Sequence, residues 1–268
     1  MKNHTRLDPD ILRVGHLLAD AARRETLAHF RSIDLSTDNK LAQGYDPVTV
    51  ADRAAERAML EILARERPDD AVLGEEYGAV KGTSGLTWVL DPIDGTRGFI
   101  SGTPTWGVLI AIGDCDGPFF GMIDQPYIGE RFIGGPGIAT MTGPTGTHKL
   151  ATRRPRDLSE ATVFTTFPEV GTKAEGAGFA KVSQKARLTR HGMDCYAYAL
   201  VAAGQVGLVI KAGLQTYDIQ APIAVVQAAG GIVTDWQGGP AHHGGRAIAA
   251  ANADIHAQAL EILKSCTS

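Results

Sequence analysis

The 268-residue sequence predicts a mixed α+β fold, and three observations predict it. A helix-periodic apolar stripe opens the chain, short apolar runs bounded by turn residues fill the rest of its first half, and strand-like and helix-like segments alternate through its second half. A chain of this length buries a sizeable core, as one large domain or as two lobes.

The elements follow in order. Asp8-Pro9 followed by Ile11, Val14, Leu18 and Ala21 predicts an N-capped amphipathic helix running to about Phe30. Ser32 to Gly44 is polar and aperiodic and reads as an exposed loop. Tyr45-Asp46-Pro47-Val48-Thr49-Val50-Ala51-Asp52 leads into a second helix with Ala55, Met59, Ile62 and Leu63 on its apolar face. That places Asp52 in the first turn, where the helix dipole favours a carboxylate whether or not it has a chemical task. Ala71 to Leu73 is a short strand ending in Gly74-Glu75-Glu76, and Thr87 to Leu90 is apolar enough to be buried on both faces. Pro92 lacks an N–H and fixes its own φ, so this strand is expected to stop there. Trp106 to Gly113 and Phe119 to Asp124 form a hairpin about the turn Asp114 to Pro118, and Arg131 to Gly134 supplies a further strand. Gly134 to Thr147 is rich in Gly, Pro and Thr and is read as a boundary, dividing residues 1–150 from 151–268. Beyond it come a strand at Thr162 to Thr166, a helix around Lys173 to Lys185, a strand at Arg187 to Arg190 and a helix from about Cys195 to Gly204. A strand at Val206 to Ile210, a helix opening at Thr216 with Asp218 in its first turn, strands at Ile232 to Thr234 and Ala247 to Ala250, and a closing helix from Ile255 to Lys264 complete the chain.

Composition narrows the function classes. Hydrophobic residues at 44%, charged residues at 21% and a net charge of -4 describe an ordinary soluble protein with no basic surplus for nucleic acid or membrane, so an anionic substrate needs a metal or local arginines. The N-terminus lacks a signal-peptide pattern and no apolar run approaches the ~18 residues of a membrane span, so a cytoplasmic protein is expected. Cys115, Cys195 and Cys266 are too far apart for a CxxC pair and read as free thiols. The 32 glycines follow no fixed period, which excludes a repeat architecture.

The chemistry centres on Trp88-Val89-Leu90-Asp91-Pro92-Ile93-Asp94-Gly95-Thr96. A buried strand ending in this way presents Asp91, the Ile93 carbonyl and Asp94 together, three hard oxygens in four residues. Gly95 permits close approach of a ligand, and Thr96 to Ser101 opens a helix whose free amides suit a phosphate. The competing reading is a plain β-turn built from Asp, Pro and Gly. More acids stand at strand ends or helix starts: Asp218, and one of Glu75 and Glu76, whose neighbouring side chains point opposite ways. Gathered without a counter-ion, such acids raise one another's pKa and strain the fold, whereas divalent cations relieve the repulsion. An all-oxygen set without Cys or His favours magnesium over zinc, and two or three such ions suit phosphate-ester hydrolysis, with Asp52 and Thr96 as a dyad that orients and deprotonates water.

Val48-Thr49-Val50-Ala51-Asp52, Gly74-Glu75-Glu76, the Trp88 to Thr96 segment, and Tyr217-Asp218 with Ala229-Gly230-Gly231 together resemble the inositol monophosphatase superfamily over nearly the whole chain. The resemblance implies a layered αβαβα sandwich of the inositol monophosphatase and fructose-1,6-bisphosphatase type, a lithium-sensitive magnesium phosphomonoesterase, and often a homodimer. It implies that Glu75, Asp91, Ile93 through its carbonyl, Asp94 and Asp218 hold metal, that Asp52 and Thr96 position the water, and that Glu75 rather than Glu76 joins this catalytic set.

Within the superfamily, Gly95 to Gly102, Pro104 to Gly107, Asp194 to Tyr198, Tyr217 to Ile219 and Thr234 to Trp236 resemble the histidinol-phosphatase branch. The implied substrate is the small metabolite L-histidinol phosphate, an intermediate of histidine biosynthesis, bound through Gly95, Thr96, Arg97, Asp194 and Lys211. Asp194 is the candidate for the substrate amine, with helix capping as its structural alternative; Arg97 either contacts substrate or pairs with a neighbouring acid. Lys211 is a departure, since relatives commonly carry an acid seven residues before Asp218, and a cation there disfavours an amine. Inositol 1-phosphate and sugar or nucleotide bisphosphates are therefore the alternatives within the enzyme class. Outside it stands a catalytically silent metal-binding relative acting as a regulatory module.

Overall fold

The computed structural model describes residues 6–33, 35, 37–39 and 47–266. Its elements are, in order, α1 (Pro9–His29), β1 (Thr37–Asn39), β2 (Pro47–Thr49), α2 (Val50–Glu66), β3 (Ala71–Gly74), β4 (Gly78–Val80), β5 (Thr87–Asp94), α3 (Thr96–Ile100), β6 (Gly107–Asp114), β7 (Gly117–Gln125), β8 (Glu130–Gly135), β9 (Ile138–Gly143) and β10 (Gly146–Lys149). There follow β11 (Thr162–Thr165), α4 (Lys173–Ser183), β12 (Leu188–His191), α5 (Tyr196–Ala202), β13 (Leu208–Leu214), α6 (Thr216–Ala228), β14 (Ile232–Thr234), β15 (Gly245–Ala250) and α7 (Ala253–Lys264).

Strands β3–β10 make an eight-stranded sheet in the order β10-β9-β8-β7-β6-β5-β3-β4, and a second sheet runs β12-β11-β13-β15-β14. Period-two alternation gives the large sheet two buried faces. Trp88 and Leu90 of β5 and Val108, Ile110 and Ile112 of β6 meet Val14, Leu18, Met59 and Leu63 of α1 and α2. The intervening Val89, Leu109 and Ala111 join the opposite core, which contains α5, α6, the second sheet and, beyond it, Phe179 and Val182 of α4 and Ile255 and Ala259 of α7. The layers are thus α1/α2, sheet, α5/α6, sheet, α4/α7, an αβαβα sandwich. Two glycines set the third layer: a Cβ on Gly121 or Gly134 would overlap the α6 backbone at Ala221 or at Ala224 and Val225. Their absence lets α6 lie close on the sheet.

Three sequence expectations are corrected. The strand carrying Asp91 does not stop at Pro92; pairing with β6 resumes at Asp94 with Gly107 after a register shift. A bulge accommodates a residue without an N–H inside an otherwise paired strand. The Gly- and Thr-rich stretch read as a boundary forms β9 and β10, which extend the large sheet, because turn residues at 136–137 and 144–145 punctuate two hairpins. Within the segment read as an aperiodic loop, Thr37–Asn39 pairs antiparallel with Pro47–Thr49; positions 34, 36 and 40–44 of that reading, and Tyr45 and Asp46 of the stretch leading into the second helix, lie outside the described residues.

Candidate active site at the end of the central strand

The end of β5 meets the first turn of α6 in a cavity of about 290 Å³, the size of a small-metabolite site, lined by Glu75, Asp91, Ile93, Asp94, Thr96, Asp194, Lys211 and Asp218 among others. Each residue arrives on a separately held element. The Asp91 carboxylate is buried, and its Oδ1 accepts the Ile93 N–H at 3.0 Å, fixing the bulge. Asp94 Oδ2 accepts the Cys195 N–H at 2.5 Å, tying the strand end to the start of α5. Asp218 Oδ2 accepts the Gln215 N–H at 2.7 Å, so it caps α6 while turning toward the other acids.

Carboxylate oxygens of Asp91, Asp94 and Asp218 lie within 4.8 Å of one another, a spacing that can hold a metal ion. Burial first, then the negative charges of Glu75, Asp94 and Asp218, push the Asp91 carboxyl well above the usual carboxylate range. The buried Tyr198 hydroxyl has no hydrogen-bond partner among the described residues, and burial first, then the charges of Asp94 and Asp218, push its pKa up. The clustered acids could hold a cation, and their all-oxygen donor set fits a hard divalent ion. The trio Asp114, Cys115 and Asp116 is also close-spaced, but it sits on the turn between β6 and β7 with Cys115 and Asp116 exposed.

Beside the acids, Asp52 is 1% exposed. Its Oδ2 accepts the Thr49 N–H at 2.8 Å and the Thr49 hydroxyl at 2.6 Å, while Oδ1 faces the Thr96 hydroxyl at 3.5 Å. Thr96 also donates to the Ile93 carbonyl at 3.1 Å. Burial pushes the Asp52 carboxyl up to about 6, and the nearby Glu76 charge adds to this against the pull of the Thr49 bonds. The acidic pair is thereby separated: Glu75 acts on Asp91 and Glu76 on Asp52.

The opposite wall carries the specificity candidates. Gly95 has φ 90°, a left-handed conformation, and a Cβ there would lie 2.8 Å from Asp194 Oδ2. Asp194 is not a helix cap: the cap of α5 is Cys195, and Asp194, at φ 42°, turns its carboxylate into the pocket. Burial and the Asp94 charge raise it to about 6, opposed by Lys211, Arg97 and a bond from Thr166. Lys211 is 6% exposed, with Nζ 5.2 Å from the Tyr198 ring centroid. The Arg97 guanidinium stacks 4.7 Å over the Phe167 ring at the rim. Sequence reasoning did not pick out Thr165, Thr166, Phe167 and Glu169, which line the pocket from the end of β11 and the loop after it. Nor did it pick out Glu56 or Tyr198 individually. Glu56 stands four residues after Asp52, a helical spacing that puts both on one face of α2 and was the available signal.

The inositol monophosphatase family model matches residues 10–268. The chain belongs to that family. It is a phosphatase of the inositol monophosphatase type, 36% identical over 262 residues to the histidinol-phosphatase of Streptomyces coelicolor, covering 95% of this chain and 97% of the relative. It is 38% identical over 263 residues to the chloroplastic bifunctional phosphatase IMPL2 of Arabidopsis thaliana, covering 94% of this chain and 74% of that one. The solved inositol monophosphatase of Zymomonas mobilis superposes with a TM-score of 0.84 at 36% identity, covering 98% of this chain and 100% of the other. Among the described residues of this family member, no helix is long and apolar enough to cross a membrane.

Proposed function

We propose that this phosphatase is a magnesium-dependent phosphomonoesterase acting on L-histidinol phosphate. The observation that carries the reading is the convergence of Glu75, Asp91, Asp94 and Asp218 on one small cavity beside the Asp52–Thr96 pair. In this reading Glu75, Asp91, Asp94, Asp218 and the Ile93 carbonyl hold magnesium. Bound there, magnesium supplies Lewis acidity toward the phosphate oxygens and offsets charge on the leaving alkoxide. The chain's own residues handle the nucleophile. Thr96 Oγ1 accepts a hydrogen bond from the attacking water; as the water's proton passes to Thr96, the Thr96 proton turns from the Ile93 carbonyl to Asp52, whose raised pKa lets it collect that proton near neutral pH.

Support for the substrate comes from two directions. Histidinol-phosphatases of Streptomyces coelicolor and Mycobacterium tuberculosis share 36% and 32% identity with this chain over nearly its full length. The Asp194 carboxylate, inside the pocket, is available to a substrate ammonium, with Phe167 as an aromatic surface for the imidazole. Lys211, beside Asp194, favours the charged carboxylate rather than standing alone against the amine. The same lysine supports a second reading, an amine-free ester such as inositol 1-phosphate, in line with the 32% identity to the inositol-1-monophosphatase of Caulobacter vibrioides.

Phosphate release measured with and without magnesium on histidinol phosphate, inositol 1-phosphate, fructose 1,6-bisphosphate and 3'-phosphoadenosine 5'-phosphate decides among them. The expected result is magnesium-dependent turnover with kcat/KM highest for histidinol phosphate by roughly tenfold, about 1.4 kcal/mol of transition-state discrimination. Preference for another ester sinks the substrate, and no release from any of them sinks the enzyme.

A further inference from the structure

The turn that carries Glu75 is held by a buried acid on another element. Glu56, in α2, is 0% exposed. Its Oε2 accepts the Glu76 N–H at 2.8 Å and its Oε1 accepts the Tyr77 N–H at 2.9 Å. Charged acceptors make such bonds short and strong, and here both bonds end on consecutive amides just past the end of β3. Gly74 completes the arrangement, because a Cβ there would overlap the Glu56 carboxylate. The Glu75 N–H is meanwhile bonded to the Leu90 carbonyl of β5 at 3.2 Å. The backbone on both sides of Glu75 is therefore fixed, by β5 on one side and by Glu56 on the other. Asp52 lies one turn earlier on the same helix. A single face of α2 thus sets both the water-orienting carboxylate and the turn that aims Glu75.

We propose that Glu56 is a positioning residue for the magnesium site: it holds the 75–77 turn so that Glu75 faces Asp91, and it acts on metal affinity through that turn without touching substrate. This rests on the function proposed above. The carboxylate is needed because it accepts two N–H groups at once; in Glu56→Gln the amide NH2 meets one of those donors and leaves it unpaired.

The test uses the full-length protein and magnesium alone. Calorimetric titration of Glu56→Gln is expected to show magnesium affinity lowered by about 10- to 100-fold, as for other residues that orient metal ligands. Hydrogen exchange at the Glu76 and Tyr77 amides is expected to quicken while exchange in β6 and β7 stays as in the wild type. Gly74→Ala, which displaces the same carboxylate from the other side, is expected to give the same phenotype. In turnover assays the half-saturating magnesium concentration rises in both variants, and kcat at saturating magnesium recovers most of its value. Wild-type magnesium affinity in Glu56→Gln, with exchange at 76 and 77 unchanged, overturns the role. Loss of kcat that magnesium does not restore, with global loss of protection, assigns Glu56 to the fold alone and also overturns it. A wild-type protein that binds no magnesium overturns the proposed function, and this inference with it.

Discussion

Asp52 and Asp218 show that structural and chemical readings of one residue need not compete. Both cap the first turn of a helix, through Thr49 and Gln215 respectively, and both keep an oxygen directed at the site. The sequence could not rank those readings, because a first-turn acid looks the same in either case. What separates Asp52 from an ordinary cap is burial, which moves its carboxyl to about 6. A base of that kind is protonated below its pKa, so kcat/KM is expected to fall as pH drops through about 6, whereas an unperturbed carboxylate would keep activity flat to about pH 4. Asp52→Asn should lower kcat by about 100-fold or more and remove that acid limb from the residual activity. A limb still present near pH 6 in the variant would assign it to another group.

At the scale of elements, strand and helix positions were legible wherever side-chain period announced them, and illegible where long-range pairing decided. Pro92 is locally a strand breaker, yet β5 continues to Asp94 because β6 offers a partner on the far side of the bulge. Gly134 to Thr147 has linker composition, yet two hairpins draw it into the sheet as β9 and β10. The fully buried Asp124 at the end of β7 was invisible as a tie between elements. Its Oδ1 accepts from Arg23 of α1 and from Arg131 of β8, each at 2.7 Å. This pair of bonds fastens α1 to the large sheet. Asp124→Ala leaves the partly exposed Arg23 guanidinium without this anion and Arg131 with Asp20 alone, and breaking a buried pair costs up to about 3–5 kcal/mol. Urea unfolding should show the midpoint drop accordingly; a cost under about 1 kcal/mol would mean the cluster behaves as a surface pair.

Across the whole molecule, the layered architecture explains why the acids are tolerated at all. Rigid sheet, bulge and helix starts hold Asp91, Asp94 and Asp218 against their mutual repulsion. Asp52 and Asp91 both have carboxyls raised in the folded state, so between the unfolded value of 3.8 and the folded values the native protein holds protons that the unfolded chain releases. These two groups therefore favour the metal-free fold at low pH, and their contribution is lost as pH rises through their folded pKa values. Magnesium binding should reverse that effect. At about 100 times its Kd the ion adds about 2.7 kcal/mol, which for a chain of this size raises Tm by roughly 5–10 °C. Thermal scans with magnesium and with EDTA should show the increment, and it should be larger at pH 8 than at pH 5. An unchanged Tm at both pH values would argue against a metal site here.

The sequence by itself determined the inventory: which segments are strands and helices, which acids stand at their ends, and, through motif order, the family. Those features are local, or repeat along the chain, and survive without coordinates. Only the tertiary structure decided the pairings: that Glu75 acts on Asp91 and Glu76 on Asp52, that Asp194 faces the pocket beside Lys211, and that Glu56 reaches the 75–77 turn from another element. The direction in which a side chain points past the end of a strand depends on what the neighbouring layer leaves room for, and that room is set by residues far away in the chain.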